Sequence, residues 1–366
     1  MADIQVNLCG RALKAPFILG SGPLSYSGAS LVAACEAGAG AAVTKTLRAR
    51  PADNPFPHMV AAGPGTIING EKWADLTAEQ WINEEIPYAK ARGAVVIASV
   101  GHTPEEAREL VEPVARAGAD FIELVSYRED TMVPMLEETK KRVNIPVLAK
   151  MSPNWPDLPG AAGRFLAAGA DALTVADSYG PVLRLDIRTA RPVLGSPYGF
   201  GWLTGAALKP ITLRCVAEVA LAHKAAIVGL GGVGNAEDAV EMLLAGATAI
   251  GVCTAAINKG VKIFGELNRK LAALLDELGY PSVAAASGRA LSHLRAGEQK
   301  EKLVFQYDPG KCNRCLLCVT RCPYGARTLR EDKVMGLDEG QCRSCGYCVS
   351  LCRQGALTSN YLAGPV

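Results

Sequence analysis

Eight of the twelve cysteines fall between positions 312 and 352, in two runs of one spacing. The runs are Cys312-x2-Cys315-x2-Cys318-x3-Cys322-Pro323 and Cys342-x2-Cys345-x2-Cys348-x3-Cys352. A segment as short as 306–366 has too little apolar mass to fold on a core of its own. The opening MADIQVNLCGRALK lacks the basic-then-apolar layout of a secretory leader, so a cytoplasmic location is expected. Four disulfides are not expected there, which leaves metal as the partner of the crowded thiols.

Three cysteines at x2 intervals followed by x3-Cys is the pattern of bacterial two-cluster ferredoxins, in which the fourth Cys of each run ligates the other cluster. The pattern assigns Cys312, Cys315, Cys318 and Cys352 to one [4Fe–4S] cluster, and Cys342, Cys345, Cys348 and Cys322 to a second. Zinc sites use two separated pairs, so the spacing favours clusters over zinc. The second run ends in Arg353 where Pro is usual. Arg314, Arg321, Arg327 and Arg343 read as solvated surface that also offsets some cluster charge. Such a segment relays electrons and carries no substrate specificity.

The rest of the chain repeats a different unit. CEAGAGAAVT (35–44), ARAGADFIEL (115–124), LAAGADALTV (166–175) and LLAGATAIGV (243–252) each read as a helix end, a Gly cap and a buried strand. PFILG (16–20), AVVIAS (94–99), IPVLAK (145–150) and AAIVGL (225–230) add four more apolar strands. Continuous apolar runs without alternation suit parallel strands buried on both faces. Eight of them with helices between predict an α/β fold, a (β/α)8 TIM barrel, ahead of an open doubly wound sheet. The expected division is 1–305, a barrel with a C-terminal connector ending in the charged tail GEQKEK (297–302), and 306–366, a small ferredoxin-like α+β domain. Lys+Arg exceed Asp+Glu by only 38 to 36, which excludes a polycationic nucleic-acid binder. The most apolar long stretch, 215–230, is broken by Glu218, His223 and Lys224, so no membrane insertion is expected.

Barrel sites lie at the C-terminal ends of the strands. In order, those ends carry Ser21-Gly22, Lys45-Thr46, Ser99 with His102, Ser126-Tyr127-Arg128, Lys150, Asp177-Ser178, Gly231-Gly232 and Cys253-Thr254. GLGGVG (229–234) matches a dinucleotide fingerprint, but the region about twenty residues on, IGVCTA, has no acid for a ribose. The loops after strands seven and eight read instead as a barrel phosphate site, with the N–H groups of Gly231, Gly232, Cys253 and Thr254 as donors.

These residues resemble the dihydroorotate dehydrogenase superfamily, and with the appended cysteine runs are most similar to the flavin subunit of dihydropyrimidine dehydrogenase. The resemblance rests on AVTKTLRARPADNP (42–55), GTIING (65–70), VLAKMSPN (147–154), GWLTGAALKPITLR (201–214), GLGGVGNAEDAVEMLLAGATAIGVCTA (229–255) and the cysteine runs. It implies FMN in the barrel. It puts Ser21-Gly22 near the flavin ring, Lys45-Thr46 beside it, Asn69 on flavin or substrate, and Lys150 at the pyrimidine end of the isoalloxazine. Thr204-Gly205, Gly231-Gly232 and Cys253-Thr254 would bind the ribityl phosphate.

The departures sit at the substrate. Where family members carry N-L-S-C-P with a catalytic Cys or Ser, this chain reads ELVSYREDTM (123–132), and no Cys occurs between Cys35 and Cys215. The family's T-N-T after strand six is Ala176-Asp177-Ser178, and an ionised Asp cannot supply the Asn donor. Tyr127, Arg128, Asp177 and Ser178 are the catalytic candidates. Tyr127 leads because a phenol both donates and accepts, with a packing role as its alternative. Ser126 and Tyr179 also follow strand ends. His102 reads as a helix start capped by Thr103. Arg184, Arg188 and Arg191 would bind an anionic substrate, or lie in a solvated loop with Asp186. The expected function is an iron–sulfur flavoprotein oxidoreductase of CH–CH groups, with reduction the expected direction. It would act on a small conjugated molecule, draw electrons from an NAD(P)H-oxidising flavoprotein subunit or a ferredoxin, and form a homo-oligomer. The alternatives are a dihydropyrimidine or dihydroorotate dehydrogenase proper, and a module that delivers electrons to another protein.

Overall fold

The computed structural model describes residues 1–294 and 301–361. Most of the expected tail over 297–302 lies outside them. The chain forms two compact units, Met1–Arg295 and Ala296–Val366. In the first, eight strands close a barrel in chain order: β1 (Phe17–Leu19), β2 (Ala41–Val43), β3 (Val96–Gly101), β4 (Phe121–Val125), β5 (Val147–Met151), β6 (Ala172–Val175), β7 (Ala226–Leu230) and β8 (Ala249–Val252). Every neighbouring pair is parallel, including β8 against β1. All eight expected strands are present, and the open-sheet alternative is excluded by closure. The helices between them end as the repeat predicted. Gly38, Gly118, Gly169 and Gly246 hold φ of 115°, 107°, 101° and 113°, one residue past each helix's last cap.

Nothing in the sequence pattern foretold what lies over the barrel mouth. A four-stranded antiparallel sheet runs in the order Tyr179–Leu183, Phe200–Gly205, Thr66–Asn69, Met59–Gly63. Two excursions build it, one after β2 and one after β6, with Trp202 opposite Asn69 and Thr204 opposite Ile67. The stretch read as a solvated loop is thus partly sheet. Arg184 donates to the Ala61 carbonyl, and Asp186 accepts from the Arg188 N–H and the Thr189 hydroxyl.

The second unit is built twice over. Phe305–Tyr307 pairs with Leu357–Ser359, and Arg327–Leu329 with Met335–Leu337, both antiparallel. Short helices at Leu317–Thr320 and Tyr347–Ser350 follow the cysteine loops. Its buried side chains are few: Ala326, Arg327, Met335, Val349, Ala356 and Leu357.

Candidate active site

A cavity of about 560 Å³ opens at the C-terminal ends of the barrel strands. Ser21 and Gly22 after β1, Lys150 at the end of β5, and Asp177 and Ser178 after β6 border it. Gly231 and Gly232 after β7 and Cys253 and Thr254 after β8 close its far end. The sheet above contributes Asn69, Thr204 and Gly205. At the far end the backbone is shaped for a ligand. Gly232 holds φ at 87°, and a Cβ there would stand 2.6 Å from the Lys209 backbone. No described residue accepts a hydrogen bond from the N–H of Gly231, Gly232, Cys253 or Thr254. Gly22 lies so close to Cys253 that a Cβ would meet Sγ at 2.6 Å. A volume of this size, with unanswered N–H groups at one end and the buried Lys150 on its wall, fits a flavin mononucleotide.

Lys45 and Lys150 each have a carboxylate beside them. Lys45 Nζ lies 2.5 Å from Glu71 Oε2 and Lys150 Nζ 3.4 Å from Asp177 Oδ1. Burial works against the Lys150 ammonium, but Asp177 and then Glu123 outweigh it and raise its pKa. Glu123, on β4, is 2% exposed; it accepts from Thr174 Oγ1 at 2.8 Å, while its other oxygen has no hydrogen-bond partner. Burial pushes its carboxyl upward against the pull of Lys150. Burial also holds the Cys253 thiol up at about 11, so this Cys stays neutral. Asp177 is fixed from its own turn, accepting from the Ser178 N–H at 2.8 Å.

Lys45 and Thr46 face an adjoining, mostly polar space of about 90 Å³ that a row of aromatic rings also borders. Trp73 meets His102 edge-on at 6.0 Å, His102 meets Tyr127 at 4.9 Å and 88°, and Tyr127 stacks on Trp202 at 5.4 Å and 14°. Arg48 caps the row, 4.4 Å over the Trp73 ring and paired with Glu106 at 2.8 Å. Tyr127 borders this open space and is 54% exposed. Burial, then Asp177, pushes its phenol up to about 12. Burial and Arg48 bring the His102 imidazole down to about 4. Thr103 caps the following helix as expected, accepting from the Glu106 N–H.

Arg128 requires a correction. Its side chain is 74% exposed, forks onto Asp130 with contacts of 3.0 and 2.5 Å, and borders neither space. The two residues lie two positions apart on an exposed helix start, where the local ion pair wins over a reach into the barrel. Ser126 is likewise engaged, 2.6 Å from Thr131 Oγ1.

In the second unit, one cavity of about 260 Å³ is bordered by Cys312, Cys315, Cys318 and Cys352. Another, about 20 Å³, is bordered by Cys322, Cys342, Cys345 and Cys348, with Cys318 at its edge. Each cavity thus draws three cysteines from one run and the last from the other. Among the described residues no three Cys, His, Asp or Glu side chains converge on a single-ion position. A four-iron cluster needs thiolates spread around its faces, and the narrower cavity admits one only if its sulfurs swing outward.

Residues 3–275 match the family profile described as dihydroorotate dehydrogenase. The chain belongs to the dihydroorotate dehydrogenase family. Residues 305–353 match a 4Fe-4S dicluster domain. The catalytic subunit of dihydroorotate dehydrogenase B (NAD(+)) from Methanothermobacter thermautotrophicus is 33% identical over 301 residues, covering 78% of this chain and 98% of that protein. The corresponding subunit from Methanosarcina mazei is 34% identical over 304 residues, covering 78% and 95%. A solved dihydroorotate dehydrogenase from Eimeria tenella, in complex with ferulenol, superposes with a TM-score of 0.67 at 20% identity, covering 80% of this chain and 89% of that one. It shares the fold. The archaeal relatives are matched almost end to end, whereas about a fifth of this dihydroorotate dehydrogenase family member lies outside the match.

Four residues of this family member's site escaped sequence reasoning: Glu71, Trp73, Glu123 and Trp202. Glu71 and Trp73 follow GTIING directly and Trp202 lies within GWLTGAALKP, so the segments were visible but their meeting was not. The chain has only four Trp. Two of them on excursions from the barrel were the available signal. Glu123 was legible as a lone acid inside an apolar strand, FIELV.

Proposed function

We propose that this flavin oxidoreductase binds FMN in the barrel and two [4Fe–4S] clusters in its C-terminal unit, and acts on a C=C or C–C bond of a small conjugated substrate other than a pyrimidine. When bound, FMN supplies hydride exchange at N5 and links it to single-electron carriers. Gly231, Gly232, Cys253 and Thr254 would hold its phosphate, with Thr204 and Gly205 beside them. Lys150 and Lys45 would stabilise negative charge on the reduced ring. Tyr127 holds the proton that the substrate carbon receives, and the row from Trp73 to Trp202 excludes water and offers flat faces to a conjugated molecule. Asn69 and Ser178 supply neutral hydrogen-bonding groups. The order of barrel and cluster unit supports a likeness to the flavin subunit of dihydropyrimidine dehydrogenase. The relatives' printed role as catalytic subunits supports a separate electron-donating partner, an NAD(P)H-oxidising flavoprotein or a ferredoxin. A homo-oligomer in the cytoplasm belongs to the same reading. Among the described residues, no helix is long and apolar enough to cross a membrane.

The observation that carries the change of substrate is the Lys150–Asp177 pair. Asp177 has two carboxyl oxygens, one of them 3.4 Å from Lys150 Nζ, and no amide N–H, so a donor–acceptor pyrimidine edge would leave polar groups unpaired, a mismatch worth roughly 10⁴-fold where it is complete. The test is anaerobic reoxidation of the reduced holoenzyme by uracil, thymine and orotate. Slow turnover with all three, accelerated by Asp177→Asn, is expected. The relatives' names favour a second reading, dihydroorotate dehydrogenase proper. Rapid saturable turnover with orotate establishes that reading and ends the first, and rapid turnover with uracil or thymine ends it in favour of a dihydropyrimidine dehydrogenase.

A further inference from the structure

The C-terminal unit contains one buried charge that its own atoms leave unanswered. Arg327 begins the strand Arg327–Leu329 and is 5% exposed. Its guanidinium lies 4.6 Å over the Phe305 ring, and Nε and Nη2 are buried without a hydrogen-bond partner. Among the described residues no carboxylate pairs with it; the unit's ion pairs, Lys311–Asp308 and Arg330–Asp332, lie elsewhere. A buried cation with no counter-charge is strongly unfavourable, so a negative group must complete this site. The thiols around it are the available source. Cys318, Cys322, Cys342, Cys345 and Cys348 border the same cavity as Arg327.

The internal repeat provides the control. Each cysteine of the first run recurs thirty positions later, and at that interval Arg327 corresponds to Leu357. Both residues are buried and both begin a strand. Leu357 borders the cavity of Cys312, Cys315, Cys318 and Cys352; Arg327 borders that of Cys322, Cys342, Cys345 and Cys348. The other arginines at the cavities, Arg321 and Arg353, are exposed, where water screens them. Two cavities of one plan therefore differ by a buried cation in place of a buried hydrocarbon.

We propose that Arg327 is a potential-setting residue: it raises the reduction potential of the cluster held by Cys322, Cys342, Cys345 and Cys348 above that of the other, so that an electron entering the unit rests there. The inference rests on the two-cluster reading above. Reduction of a cluster adds one electron and no proton, making it one charge more negative, and a fixed cation beside it favours that state. Arg does not release its charge, so the bias holds at every working pH. Hydride chemistry takes two electrons, and a relay that brings them singly needs a place where the first can wait.

The test is a redox titration of the holoprotein followed by electron paramagnetic resonance. Iron and sulfide come first: about eight of each per chain retains the two-cluster reading, and a content of about four overturns that reading and this inference together. Cys315→Ser and Cys345→Ser label the two signals, because each alters the spectrum of its own cluster. In the wild-type protein the signal labelled by Cys345→Ser should appear at the higher potential. Arg327→Gln should lower that cluster's reduced-to-oxidised ratio at fixed potential by about tenfold or more, which is 59 mV for a one-electron couple, with a much smaller change at the other. Arg327→Lys should keep most of the wild-type value. The inference fails if the Cys315→Ser signal is the higher one in the wild type, or if Arg327→Gln with full iron and sulfide stays within about twofold of wild type at fixed potential. Should Arg327→Gln not assemble its clusters, the wild-type order of potentials and the Arg327→Lys value still decide.

Discussion

Tyr127 combines two properties that a proton donor beside a hydride acceptor needs. Its phenol, pushed up to about 12, keeps its proton throughout the working pH range. Its ring is held between Trp202 and His102, so the oxygen has little freedom to wander. Tyr127→Phe keeps the stack and removes the proton. Turnover should fall by roughly 10²-fold or more while bound FMN is unchanged, measured by single-turnover kinetics against flavin content. Loss of flavin in parallel would assign Tyr127 to packing instead. His102 makes a pH prediction. With its folded pKa down at about 4, it is neutral when folded and takes up a proton on unfolding. The stability it contributes is complete above its ordinary value near 6.5, and is lost as pH falls toward 4. Roughly 1–3 kcal/mol of acid sensitivity should therefore vanish in His102→Phe, read from denaturant midpoints at pH 7 and pH 5.

At the level of elements, the sheet over the mouth decides whether the cavity is a cavity. Gly205 ends its second strand with φ of 86°, and a Cβ there would stand 2.1 Å from the Gly65 carbonyl oxygen and 2.8 Å from Thr254. Because backbone cannot yield as a side-chain tip does, Gly205→Ala should pull that strand off the site. The expected outcome is loss of most of the FMN on gel filtration, with a stability loss of about 1–3 kcal/mol and an intact barrel by far-UV circular dichroism. This sheet also marks where sequence reading stopped. Barrel strands announce themselves, since a strand buried on both faces must be apolar throughout, as in FIL (17–19) and AAV (41–43). The sheet's strands mix buried and exposed positions, and partners such as Asn69 and Trp202 are far apart in the chain. Local pattern carries no record of such pairing. For the same reason Lys150 and Asp177 were legible as strand-end residues, whereas the row joining Trp73, His102, Tyr127 and Trp202 was not.

For the whole molecule, the two units differ in what stabilises them. The barrel has a continuous core from Ala2 to Ala286. The C-terminal unit has a handful of buried side chains, one of them a charged arginine. Removing iron with a chelator under anoxic conditions should unfold the second unit and leave the first. Hydrogen exchange should rise across 301–361 while protection persists in the barrel strands, because metal-site energy is folding energy for so small a domain. A rise in both units would show that they fold as one.

The crossed grouping of the cysteines also sets an order of manufacture. Cys312, Cys315 and Cys318 border their cavity together with Cys352, which lies a full repeat later in the chain. On the ligand assignment proposed above, neither half of the repeat encloses a finished site by itself, so a nascent chain halted anywhere before Cys352 offers an incomplete set. The barrel, by contrast, has all its strands once Val252 has emerged. Cluster loading thus waits until Cys352 has emerged. A premature stop between the two runs would yield a protein that folds, keeps its flavin site and receives no electrons: a species that passes quality control yet is cut off from its supply.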